Sequence, residues 1–323
     1  MLTDSSTDNN ATISTSPGSS WQLYRKHLKE DMGFSEYSIK SIEQSCFRIL
    51  KRLNGDTRST GPIKGLVVGN VQSGKTANMA GLMAMAADNG WNMFIILSGT
   101  IENLRVQTET RLGNDLNSGE GNLEWVPLPR DLRKRSNAVS GQTKHLYLNE
   151  KDRKRYFAVC LKHATRLGNL ITWLQGDPHA QEKLRILIID DEADQASINT
   201  GDVEKGDADR KAINRLIVNL VDGKTKKGEP STGKYMAMNY VCYTATPYAN
   251  FLNENYPESL YPKDFLISLE PSKQYFGPNQ IFGTGDEASD GMDIVRSISS
   301  KPMGMSDDED ESDYKKITLI HDG

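Results

Sequence analysis

Five short apolar runs punctuate the chain: LVVG (66–69), MFIIL (93–97), YFAVCL (156–161), ILIID (186–190) and NYVCYT (239–244). Each is nearly continuous in β-branched, aromatic or leucine side chains, the pattern of strands buried on both faces. Between them the hydrophobic positions change to helical spacing. Residues 76–88 (TANMAGLMAMAAD) are rich in Ala, Met and Leu and stop at Asn89-Gly90, a helix with a C-terminal signal. Ile101, Leu104, Thr108 and Leu112 mark a second helix, Leu167, Leu170, Ile171 and Leu174 a third, and residues 208–221 a fourth. Upstream, Ile39, Ile42, Cys46, Ile49, Leu50 and Leu53 give an amphipathic helix that ends by Asn54-Gly55. Strands alternating with helices predict an α/β fold with a parallel sheet covered by helices.

The pattern divides the chain. Residues 1–20 are rich in Ser, Thr, Asn and Asp without apolar period and are predicted to be disordered. Residues 21–60 form a helical N-terminal segment, and the α/β alternation occupies 61–270. A basic insertion near 127–155 carries a local charge of +6, and residues 271–323 read as an extension beginning a further domain. In that extension SDDEDESD (306–313) is an acidic loop, while DFLISLE (264–270) just before it is a weak strand signal. The net charge is −4, but the two polar ends account for more than all of it, so the body is slightly basic. Three cysteines lie far apart with no metal-ligand spacing, and read as reduced core thiols of a cytoplasmic protein. No apolar run approaches the length that spans a membrane.

Three strings carry chemistry. GNVQSGKTAN (69–78) has the form G-x-x-x-x-G-K-[ST] and falls between a predicted strand and a predicted helix. The backbone of Gly69, Asn70, Val71, Gln72, Ser73 and Gly74 would wrap phosphate, with the helix N-terminus adding positive potential. Lys75 would reach the β- and γ-phosphates of ATP, and Thr76 would ligand Mg²⁺. The bland reading is an ordinary glycine-containing turn. ILIIDDEADQ (186–195) drives a buried strand with acids at its C-terminal end, where open α/β sheets bind ligands. Asp191 fits the metal and Glu192 the attacking water. A competing register gives those roles to Asp190 and Asp191, and the bland reading is an acidic helix cap. YTATPYAN (243–250) ends the fifth strand, where the hydroxyls of Thr244 and Thr246 can hydrogen-bond the acidic motif and pass on the state of the γ-phosphate.

GNVQSGKT, DDEAD and TAT together resemble motifs I, II and III of superfamily II helicases over roughly residues 60–250. VVGNVQSGKTAN, LSGTIENLRVQTETRL and YTATPYANFL look more narrowly like bacterial Z1-domain proteins, endonuclease-associated ATPases of restriction or phage-defence systems. The resemblance implies a RecA-like ATPase domain over 61–270, ATP with Mg²⁺, DNA as substrate, and a nuclease or methylase partner. SGTIENLRVQ (98–107) falls where these helicases place motif Ia, which makes Thr100, Arg105 and Gln107 candidate contacts to a nucleic-acid backbone. A capped surface helix explains the same residues. Phe34 and Gln44 lie roughly where such proteins read adenine, in a divergent pattern. Arg133, Lys134 and Arg135 of the basic insertion are candidates for DNA phosphates, against a solubilising or protein-docking loop.

Motors of this class need a second RecA-like domain, in cis or in trans, that reaches the γ-phosphate with arginine. No Q-x-x-R-x-x-R follows residue 250, and the closing ITLIHDG reads like the opening of a strand. The expectation is an N-terminal portion of a longer protein or half of a split motor. No P-D…(D/E)-x-K arrangement supports a nuclease in the chain itself. The leading reading is the ATP-binding and hydrolysing first motor domain of a DNA-acting helicase-like protein. The alternative is a nucleotide-gated interaction module that assembles a defence complex without translocating, and a P-loop kinase fits less well.

Overall fold

The structure, a computed structural model, describes residues 9–69, 74–130, 132, 142–149, 151–195, 197, 212–252 and 259–270, with the backbone of strands at 295–298 and 317–320. The chain divides into two units, Met1–Pro271 and Ser272–Gly323.

The first unit is built on a seven-stranded sheet in which every neighbouring pair is parallel. Its strands are β1 (Ile63–Val68), β2 (Met93–Ser98), β3 (Glu124–Pro127), β4 (Lys154–Leu161), β5 (Arg185–Asp191), β6 (Ala237–Thr244) and β7 (Phe265–Ser268). They lie in the order β3-β4-β2-β5-β6-β1-β7. The helices are α1 (Ser20–Glu30), α2 (Glu36–Leu50), α3 (Lys75–Asp88), α4 (Glu102–Leu116), α5 (Ala164–Leu174), α6 (Pro178–Gln181), α7 (Ala212–Val221) and α8 (Tyr248–Leu252). This is the α/β class, a parallel sheet covered by helices, expected from the alternation of apolar runs. The second unit contains two antiparallel strands, β8 (Val295–Ile298) and β9 (Ile317–Ile320).

The central strands alternate between two cores because successive side chains point to opposite faces. Leu187 and Ile189 join α1, α2, α3 and α4 on one face, while Ile186 and Ile188 join α5 and α7 on the other. Burial on both sides accounts for the largely apolar composition of β2, β5 and β6. Helix α3 is buried almost all round, and small residues let its neighbours approach. A methyl group at Gly81 would sit 3.0 Å from Cys46 Sγ and 3.3 Å from the Trp21 ring.

The two edges carry the strands with the faintest signal. β3 has only Trp125 and Val126 buried, so no run announces it. β7 alternates buried and exposed residues, and its Phe265 ring covers Gly65 of β1 so closely that any side chain at Gly65 would collide with it. The helix expected over 208–221 is seen as Ala212–Val221, its first residues lying outside the described ones.

The N-terminal stretch departs from expectation. Residues 9–19, expected to be disordered, are fastened to the helices. Asn9 Nδ2 donates to the carbonyls of Leu50 and Leu53, and Thr12 exchanges two hydrogen bonds with the Asn89 side chain. Ala11 and Ile13 pack on the core. Asp88, the last residue of α3, accepts from the backbone N–H groups of Ser20 and Trp21 and so caps α1. Polar composition hid this because the fastening groups are the polar side chains themselves. Among the described residues no helix is long and apolar enough to cross a membrane.

Candidate functional site

Because all seven strands run the same way, the turns that follow β1, β5 and β6 emerge on one edge of the sheet. They meet in a cleft of about 610 Å³ lined by Gly74, Lys75, Thr76, Arg111, Asp191, Glu192, Asp194, Gln195, Thr244, Ala245 and Thr246. That size lies within the roughly 300–1,000 Å³ of ligand clefts. The three sequence strings therefore share one space.

The first wall is the start of α3. Gly69 closes β1, its N–H donating to Thr244 O of β6 at 3.0 Å. Asn70, Val71, Gln72 and Ser73 lie outside the described residues. Gly74 resumes at φ +80°, a left-handed conformation that favours glycine, and is the N-cap of α3. Lys75 Nζ donates to Gly69 O at 3.1 Å, and Thr76 follows in the first turn. That turn is braced from three sides. Tyr24 of α1 donates to Ala77 O at 3.0 Å, Asn78 Nδ2 donates to Ser45 Oγ of α2 at 2.7 Å, and Tyr243 of β6 donates to Asn78 Oδ1 at 2.9 Å. The helical N-terminal segment thus braces the start of α3. Asn78 and Tyr24 carried no sequence signal for that role.

The second wall is the end of β5, where four acids divide by environment. Asp190 is fully buried, ion-paired with Lys162 at 2.7 Å and accepting from Tyr240 OH at 2.6 Å. It points into the core and not into the cleft, so the competing register, with Asp190 on the metal, has no support in this geometry. Asp191 and Glu192 line the cleft. Burial, with Glu192 next to it, pushes the Asp191 carboxyl above the usual aspartate range. Asp194 turns to the third wall: Thr244 Oγ1 donates to its Oδ1 at 2.9 Å, and Thr246 Oγ1 to its Oδ2 at 2.7 Å. Burial acts to raise Asp194, but the bonds from Thr246 and Thr244 outweigh it and its carboxyl lies below the usual range. The sequence paired the threonines with the acidic motif without naming the acid. It is Asp194, last of the DDEAD string.

The nucleic-acid candidates divide. Thr100 and Gln107 are exposed around the start of α4. Arg105 differs from its expected role: it is 5% exposed, with Nε on Glu102 at 3.0 Å and a second nitrogen on Glu109 at 2.8 Å. Two carboxylates, each about one helical turn from Arg105, enclose the guanidinium, as in the capped-helix reading. Arg133, Lys134 and Arg135 lie outside the described residues. Phe34 packs against the core beside α2, while Gln44 is exposed. Neither lines the cleft.

Among the described residues no cluster of three or more His, Cys, Asp or Glu could hold a metal alone. The cleft does fit Mg²⁺, which takes hard oxygen donors and is commonly held by one or two carboxylates plus substrate phosphates. The Thr76 hydroxyl and Asp191 carboxylate line one space, and a divalent cation there would offset the burial and the neighbouring Glu192 that raise Asp191.

No family model matches the chain, and no curated protein matches it. Solved structures similar to it include the DUF1998 helicase MrfA bound to DNA, at 11% identity and TM-score 0.41 over 77% of this chain and 29% of that one. The SWI2/SNF2 ATPase core of Sulfolobus solfataricus in complex with dsDNA is similar at 14% identity and TM-score 0.34, over 71% of this chain and 34% of that one. A DEAD box protein from the hyperthermophile Methanococcus jannaschii is similar at 15% identity and TM-score 0.39, over 74% of this chain and 55% of that one. This chain spans less than two thirds of the length of each.

Proposed function

We propose that the chain is the ATP-binding and hydrolysing first motor domain of a superfamily II helicase-like protein that acts on DNA. The observation that carries the reading is convergence. Lys75 and Thr76 at a helix start, Asp191 and Glu192 at one strand end, and Thr244 and Thr246 at another line a single cleft, with Asp194 bonded to both threonines.

In this reading Gly69 to Gly74 wrap the phosphates and Lys75 places its ammonium on the β- and γ-phosphates. Thr76 and Asp191 would hold Mg²⁺, which when bound neutralises charge on the phosphate oxygens. Glu192 orients a water. The water oxygen forms a bond to the γ-phosphorus, the bond from that phosphorus to the β,γ-bridging oxygen breaks, and ADP leaves with the electron pair. The proton of the water passes to the Glu192 carboxylate. Asp194 carries the shift of the acidic loop to Thr244 and Thr246, and thence to the turn before α8.

Arg111 of α4 also lines the cleft, ion-paired to Asp115 at 3.8 Å. A second RecA-like domain would supply a further arginine, worth about 10³–10⁵ in rate in related phosphoryl-transfer systems. Restriction or phage defence, with a nuclease or methylase partner, is the setting the Z1-like strings suggest. Binding of Mg-ATP by calorimetry, followed by turnover with and without DNA, tests the core of the reading. Stimulation by DNA is expected. Absence of Mg-ATP binding would overturn the ATPase, and binding without stimulation would favour a nucleotide-gated module. Charge reversal of Arg133, Lys134 and Arg135 should weaken DNA binding uniformly across sequences and flatten its salt dependence.

A further inference from the structure

Lys162 follows β4, belongs to none of the three strings, and is 1% exposed. Its ammonium lies 2.7 Å from Asp190 Oδ1, and it donates to Asp191 O at 2.7 Å, Glu192 O at 2.8 Å and Gln195 O at 3.2 Å. Three donors serve four acceptors, and three of these are carbonyls of one short turn. Backbone dipoles from positions 191, 192 and 195 converge on one point only if the chain curls tightly between them.

The curl is visible at Glu192, whose φ of +52° makes it the one non-glycine residue in the left-handed region among the described residues. Such a conformation persists only where its surroundings over-determine it. The surroundings here are Lys162 beneath the turn, the bond from Gln195 N–H to Glu192 O at 2.8 Å, and the bond from Ala193 N–H to Tyr243 O at 3.0 Å. The consequence is a reversal of direction within three residues: Asp191 and Glu192 face the cleft, and Asp194 returns to the threonines.

We propose that Lys162 is a positioning residue that clamps the acidic turn through its carbonyls and so sets the aim of Glu192. The proposal rests on the ATPase reading of the cleft. Asp190 has the complementary duty of neutralising the buried ammonium, which explains an acid in the string that never reaches the cleft. An ion pair serving stability alone would need Asp190 and no more. The three carbonyls are what distinguish a clamp.

Two double variants separate the roles, both removing the buried charges together so that neither leaves an unpaired ion. Lys162→Met with Asp190→Leu removes the side-chain donor shared by the three carbonyls. Lys162→Gln with Asp190→Asn keeps an amide that can donate to them. The Met/Leu chain should bind Mg-ATP within about threefold of wild type yet turn over at least about tenfold more slowly, with faster hydrogen exchange at the amides of Ala193 and Gln195. The Gln/Asn chain should recover most of the turnover and protection. Equal turnover and equal exchange in the two chains would overturn the clamp. If the Met/Leu chain does not fold, the Gln/Asn chain decides alone: a folded protein with wild-type protection at Ala193 and Gln195 supports the clamp, and lost protection overturns it. A wild-type chain that fails to bind Mg-ATP would sink the ATPase reading instead, and the exchange comparison would still judge Lys162.

Discussion

The two ends of the parallel sheet each carry a cleft, and the larger is at the chemically poorer end. Around the starts of β2, β4, β5 and β6 lies a space of about 920 Å³ lined by residues including Asp88, Asn92, Lys151, Arg155, Lys183 and Arg185. Its charges serve the scaffold. Arg155 donates to the carbonyls of Ala87, Asp152 and Lys154, closing the C-terminal end of α3. Asn92 links β2 to β5 through Lys183 O and Arg185 N–H, and Lys183 holds Asn149. At the other end the smaller cleft gathers an ammonium, three threonine hydroxyls and three carboxylates from three separate turns. Volume alone would choose the opposite end from the one chosen by chemistry. What marks a site is complementary chemistry brought together from distant positions, with other residues holding it in place.

Glu192→Gln should give the largest effect, because it removes a proton acceptor while keeping size and hydrogen bonding. Turnover is expected to fall at least about tenfold, and general-base catalysis is typically worth about 10²–10⁴. Mg-ATP should still bind. Survival of turnover, together with unchanged metal binding by Asp191→Asn, would return the roles to Asp190 and Asp191 despite the burial of Asp190.

Removing one cation from each cleft sharpens the contrast. Lys75→Ala is expected to weaken ATP binding by about 1.5–3 kcal/mol or more, the worth of a charge-assisted contact. Arg155→Ala should leave ATP affinity unchanged and cost about 1–3 kcal/mol of stability, from backbone carbonyls left without their donor. Calorimetry and denaturant melts on the two variants should cross over. If Arg155→Ala weakens ATP binding and Lys75→Ala does not, the functional end of the sheet has been misassigned.

That crossover also shows what the sequence could say. The α/β class and the central strands were legible because burial on both faces demands nearly continuous apolar runs, and a candidate phosphate loop could be read because that chemistry would need fixed spacing. Edge strands β3 and β7 were faint, since an edge is buried on fewer sides and tolerates polar positions. Strand order was not legible at all, so nothing along the chain joined Lys162 to Asp190 or Tyr24 to Ala77. Two readings of the acid run stood open in the sequence because adjacent strand residues face opposite ways, and only the packing partners bear on the choice. For Asp190 those partners are Lys162 and Tyr240, 28 and 50 positions away in the chain.

The smallest expected effect concerns the third wall. Thr246→Val removes one donor to Asp194, a net loss of about 0.5–1.5 kcal/mol of stability near neutral pH. The sign with pH follows from the lowered Asp194 carboxyl. A group whose pKa is depressed in the folded state contributes stability above its unfolded value, about 3.9 for aspartate, and that contribution disappears as pH falls through the folded value. The stability gap between wild type and Thr246→Val should therefore be widest at neutral pH and narrow once pH drops below about 4. Thr246 also lies between the acidic turn and α8, so the same variant should keep basal turnover within about threefold while losing most of its stimulation by DNA. A gap independent of pH would mean that Asp194 is not held through the threonine. Full DNA stimulation in the variant would mean that the bond belongs to the scaffold, as the polar contacts at the opposite end of the sheet do.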